Sequence, residues 1–186
     1  MSKLLRLSVC LYTLSGTASG ALELPSPEIE AKEITSGGQL VACSLGFTAA
    51  VRDHVYRGGG PVGVTGSVGL WRKASKLYGT FKIVGADLNG SNADLFKVAN
   101  GVLFDRDGNP TKQVSSACED PLHYCAAVPS DAFLAIMESI ANSGGVRLAY
   151  NRRDGGMDVP IDLPVAPDVA LKLLKCTERQ IGRAHV

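Results

Sequence analysis

Cys118, His123 and Cys125 place two thiols and an imidazole in one short segment. That set has three chemical uses: a metal site, an activated nucleophile or a disulfide clasp. A structural zinc site needs four tetrahedral ligands, usually with paired CxxC spacing, and that spacing is missing. No metal or other cofactor is therefore expected. On an extended segment His123 and Cys125 point to the same side, so the imidazole could activate a thiol. Asp120 is near, but no orienting carboxylate or oxyanion hole is specified, and no catalytic residue is assigned. The polar, proline-containing stretch between the cysteines suits a clasp. Of the five cysteines in the chain, Cys10 falls in a leader, which leaves an even set and three possible pairings. The expected bridges are Cys118–Cys125 and Cys43–Cys176, the second tying the first strand to the last helix. By the chain-entropy model they contribute about 2–3 and about 4–5 kcal/mol.

Three other groups of residues invite chemistry. Asp105, Asp107 and Asn109 alternate like the start of a calcium loop, but the remaining EF-hand ligands are out of register, and a hairpin turn is expected. Gly58-Gly59-Gly60 has no following helix or lysine and is no phosphate cradle. Arg147, Arg152 and Arg153 make the one local basic cluster and are the candidate site for an anionic ligand, against the plainer reading of a solvated, charge-protected sheet edge.

The address of these residues comes from the N-terminus. Lys3 and Arg6 make a small positive n-region, the apolar residues between Leu4 and Leu14 supply a hydrophobic stretch, and Ala18-Ser19-Gly20 offers small residues for cleavage. Residues 1–20 therefore read as a signal peptide, because spanning a bilayer takes about 20 apolar residues. Removing its two cations from a formal charge of +1 leaves −1. That balance gives no drive toward nucleic acid, and no membrane span is expected after cleavage. At the other end, Ile181-Gly182-Arg183-Ala184-His185-Val186 matches the translation of a common sequencing adapter, so 181–186 is expected to be a non-native tail.

Hydrophobic periodicity outlines the rest. Residues 21–38, broken by Pro25 and Pro27, are expected as a flexible lead-in to a single β-rich domain at 39–180. From Val41 the odd positions through Val51 are the larger and more apolar, a strand with Cys43 on its buried face and Arg52-Asp53-His54 at its wet end. Further strands are expected over Val62–Leu70, Leu77–Val84, Tyr124–Val128, and a hairpin from Val146 to Leu163 that turns at Asp154-Gly155-Gly156. Gly85–Ser91 reads as loop and Asp94–Val98 as a helical turn. Asp105–Pro110 turns between Val102–Phe104 and Thr111–Val114. One helix is expected after an N-cap at Ser130, with Phe133, Leu134, Met137, Ile140 and Ala141 as its apolar stripe. A last helix starts at Pro167 and turns Val169, Leu173 and Cys176 inward. The expected fold is mainly β: an antiparallel sandwich or partly closed barrel, with two peripheral helices and disulfide staples.

From Cys118 to Cys176 the order of parts is distinctive. A cysteine-flanked Tyr124–Val128 strand leads into the Phe133–Ile140 helix; the Tyr150-Asn151-Arg152-Arg153 hairpin and a closing helix follow. This resembles the invasion-associated locus B group of small exported bacterial proteins. The resemblance implies a periplasmic, β-rich domain with paired cysteines, and carries over no functional residue. The expected role is a non-catalytic periplasmic or secreted binding or envelope-associated protein, with an envelope protein or a small ligand as partner. The rival readings are a periplasmic hydrolase or thiol enzyme, and a structural envelope component truncated at its C-terminus.

Overall fold

In a computed structural model, residues 24–74 and 76–182 are described. The expected signal peptide and residues 183–186 lie outside them. The first four strands are β1 (Glu28–Ser36), β2 (Gln39–Asp53), β3 (Gly60–Lys73) and β4 (Lys76–Asn89), and they pair as successive antiparallel hairpins. Alternation decides which side faces in. Cys43, Leu45, Phe47 and Ala49 of β2 and Val62, Val64, Val68 and Leu70 of β3 are buried, with Ser44, Thr48, Thr65 and Ser67 on the other face.

Two segments pair with the far edge of β4. β5 (Asn92–Phe96) takes its end, and β8 (Tyr124–Val128) takes its middle, carrying β7 (Val114–Ser116) beyond it. The large sheet therefore runs β1-β2-β3-β4-β8-β7, and it does not close. A second sheet orders β10 (Val159–Pro164), β9 (Gly145–Asn151) and β6 (Asn100–Leu103), all antiparallel. Helix α1 (Ser130–Ser143) packs on β9 and β4, and α2 (Pro167–Gly182) packs on β1 and β2. One continuous core lies under the large sheet and joins both helices to the small one. The fold is thus mainly β and antiparallel, with two helices.

Both expected cysteine pairs are at bonding distance. Cys43 and Cys176 have Sγ atoms 2.02 Å apart and Cα atoms 5.8 Å apart, fastening β2 to α2. Cys118 and Cys125 are also joined, with Cα atoms 5.6 Å apart.

Several local expectations are corrected. Residues 28–36 of the supposed lead-in are strand β1. Only Ile29 and Ala31 of it turn to the core, and an edge strand with Glu28, Glu30, Lys32 and Glu33 around them carries little apolar alternation to read. β4 continues through the supposed loop to Asn89, and Asp94–Phe96 is strand β5, not a helical turn. The overlooked signal was Gly90-Ser91, the two-residue turn between the paired Asn89 and Asn92; Gly90 has φ 62°. The Asp105 turn itself forms as expected, with Phe104 bridged to Pro110 and the Thr111 N–H donated to the Leu103 carbonyl at 2.7 Å; beyond it Val102–Leu103 join β9 and Val114 joins β8. Helix α1 begins after Pro129 without a side-chain cap, and it buries Ile136 and Ser139 where Leu134 and Ala141 were expected. Its C-terminus follows the rule, with left-handed Gly144 donating its N–H to the Ile140 carbonyl. Ile181 and Gly182 complete α2.

Candidate functional site

The densest meeting of ionisable groups lies where three turns converge. Asp53 ends β2, Asp87 lies near the end of β4, and Tyr150 and Arg152 come from the end of β9. Asp53 was expected at a wet strand end and is instead completely buried. Its position shares the parity of Cys43 through Val51, so the same alternation that buries Leu45 also turns Asp53 inward.

Burying a carboxylate requires that its lone pairs be used. Oδ1 of Asp53 accepts the backbone N–H groups of Val55 at 3.0 Å and Tyr56 at 2.7 Å, which shapes the β2–β3 turn. Oδ2 accepts the Tyr150 hydroxyl at 3.0 Å and lies 3.1 Å from an Arg152 nitrogen. The Arg152 guanidinium reaches across to Asp87 as a two-pronged pair, at 2.6 and 3.1 Å. Asp87 also faces Arg57 at 3.0 Å, and Arg57 continues to the Asn89 side-chain oxygen at 2.8 Å. Phe96 supplies the floor. Its ring occupies the space of a side chain at Gly85, where a Cβ would stand 2.1 Å from it, and Arg152 stacks 3.7 Å above the ring centre.

These contacts set the proton affinities. The hydrogen bond from Arg152 holds the Asp87 carboxyl below its ordinary value, against the opposing effect of partial burial. Burial, followed by the Asp53 charge, raises the Tyr150 hydroxyl far above the usual phenol range, so it remains a donor. Burial disfavours the Arg152 charge, but its hydrogen bonds to Asp87 and Tyr150 outweigh it and the proton is held more firmly. The cluster balances two carboxylates with two guanidinium groups, and chemically it is a clamp: it joins the β2–β3 turn, the β4–β5 hairpin and the β9–β10 hairpin.

The three arginines expected to hold an anion do not converge on one site. Arg152 is engaged by Asp53 and Asp87. Arg147 pairs with Asp162 of the neighbouring strand through a 2.7 Å contact on the exposed face. Arg153 is exposed beside the β9–β10 turn. An anion at Arg147 or Arg152 would have to compete with carboxylates already in place.

At the Cys118–Cys125 bridge, His123 sits half-buried with Nδ1 3.5 Å from an Asp120 oxygen. Burial and the nearby Lys82 charge push its imidazole below the ordinary value. Asp105 folds onto its own turn, accepting the N–H groups of Asp107 and Asn109 at 2.9 Å each, as a plain turn does. Among the described residues, no helix is long and apolar enough to cross a membrane.

No family model, curated protein or solved structure matches this chain.

Proposed function

We propose that this chain is exported and folds in an oxidising compartment, the periplasm or the cell exterior, as a non-catalytic binding or envelope-associated protein. The observation that carries the reading is the Cys43–Cys176 link, fully buried at both ends and joining residues 133 positions apart. Such a link belongs to proteins that form where thiols are oxidised. The apolar run behind Lys3 and Arg6 supports the same address. A non-catalytic role is supported by the clamp, whose convergent ionisable groups are occupied with one another. The rival thiol enzyme needs Cys118 or Cys125 free, with His123 as its base, and the two sulfurs are bonded to each other.

A fusion of the full chain to alkaline phosphatase, which matures only outside the cytoplasm, tests the address. The expected result is an active reporter and a purified chain with no thiol reactive toward iodoacetamide. An inactive reporter, or four alkylated cysteines in protein isolated without reductant, would sink the reading.

A further inference from the structure

On the side of the large sheet that faces away from the core, a trough of about 450 Å³ crosses β1, β2 and β3. That volume lies in the range of small-molecule sites. Its floor is made of very small residues, among them Gly46 and Ser67, which pair with Glu30 and Lys82 in the same cross-strand row. The Thr48 and Thr65 hydroxyls, 3.2 Å apart, close one end. Ser44 stands at the other end, opposite Gly69.

Two positions beyond Gly69 on the same face is Trp71, paired with Tyr78 across β3 and β4. The Trp71 Nε1 lies 3.4 Å from the point that a Cβ on Gly69 would occupy, so the indole leans over bare backbone toward the trough. No acceptor among the described residues takes this N–H, and it is not buried. Tyr78 is 37% exposed, one of the few large apolar side chains left in solvent. From the Trp71–Tyr78 row to the Thr48–Thr65 row is six residues of strand, about 20 Å.

Along the trough itself the charges balance: Glu28 and Glu30 line it with Lys32, and Lys82 stands in the same cross-strand row, while the further cations Arg52, Lys73 and Lys76 stand beyond its ends on the same face. A trough balanced in charge is complementary to an uncharged ligand. Hydroxyls and carboxylates along the floor and walls serve a ligand dense in hydroxyl or amide groups, and an aromatic pair at one end, Trp71 half-buried and Tyr78 exposed, serves a ligand with flat apolar faces. A solvated sheet face would account for the polar residues alone. It does not account for an indole with a free N–H laid over a glycine beside them.

We propose that this face binds a neutral oligosaccharide, with one sugar ring stacked on Trp71 and Tyr78 and the following rings hydrogen-bonded along the trough. The proposal rests on the binding-protein reading and names its ligand class. Because Trp71 is the single tryptophan, its emission reports the site directly. The oxidised full-length chain is titrated with chitotetraose and, separately, with cellotetraose, the pair distinguishing an amide-bearing glycan from a purely hydroxylic one. The expected result is a saturable change in Trp71 emission with at least one of them. Tyr78→Ala should weaken it at least tenfold and Thr48→Val several-fold, while Leu134→Ala, on the exposed face of α1, leaves it unchanged. Circular dichroism confirms that each variant is folded. No saturable change with either sugar at millimolar concentration would overturn the proposal, as would wild-type affinity in folded Tyr78→Ala, or saturation by a zwitterionic tetrapeptide and by neither glycan. An active phosphatase fusion alongside a silent titration would remove the glycan and leave the exported protein standing.

Discussion

Arg152 does for this fold what a hydrophobic contact cannot: it neutralises a carboxylate that has no access to water. Replacing it with alanine leaves Asp53 buried with the Tyr150 hydroxyl and two backbone N–H groups but no cation. An uncompensated buried charge costs about 3–5 kcal/mol. Urea unfolding of Arg152→Ala should show that loss, and Asp87→Asn a smaller one, because Arg152 then keeps Asp53. Acid should act in two windows. His123 has a depressed proton affinity in the folded chain, so the unfolded chain takes up the proton first, and stability falls as pH drops below 6.5. Asp87 is also depressed when folded, so its contribution is complete above 3.8 and is lost as pH falls through its lower folded value. A stability–pH profile should therefore lose its upper step in His123→Gln and flatten at the acid end in Asp87→Asn. Little of this was legible in the sequence. Asp53 could have been found by extending the β2 alternation two residues. Asp87 and Arg152 meet only through tertiary pairing, and nothing in their local context marks them.

At the level of elements, legibility followed the amount of core each one faces. β2, β3, β9, β10 and α2 bury a full face and declare their periods, whereas β1 and β5, at sheet edges, bury two residues or fewer. Helix α1 is the instructive intermediate case. Its apolar residues spread over more than one face, so period alone left the direction of the core open by about one residue step. Ile136 is completely buried and Leu134 is 43% exposed, the reverse of what the expected stripe required. Ile136→Ala should therefore cost about 2–4 kcal/mol through lost contacts and a cavity. Leu134→Ala should change stability by no more than about 0.5 kcal/mol. Thermal denaturation of the two variants checks both values; equal losses would show that α1 sits with its stripe rotated.

Across the whole molecule, the two disulfides report on different kinds of motion. The sulfurs of Cys43 and Cys176 lie between β2 and α2 with essentially no exposure, so a reductant reaches them only when the helix leaves the sheet. That helix shares one continuous core with both sheets, and its departure amounts to global unfolding. Cys118 and Cys125 close a short surface loop and are half-buried, so small fluctuations suffice to expose them. In native buffer, dithiothreitol should reduce Cys118–Cys125 quickly, at a rate nearly independent of urea. Reduction of Cys43–Cys176 should instead accelerate with urea, with the same slope that describes equilibrium unfolding, since that slope measures the surface exposed on opening. Alkylation followed by peptide mass spectrometry assigns each rate to its pair. A Cys43–Cys176 rate with a much shallower slope would mean that α2 detaches while the sheets stay folded. The cross-link would then act as a local tether between helix and strand, and the continuity of the core would not extend to cooperativity.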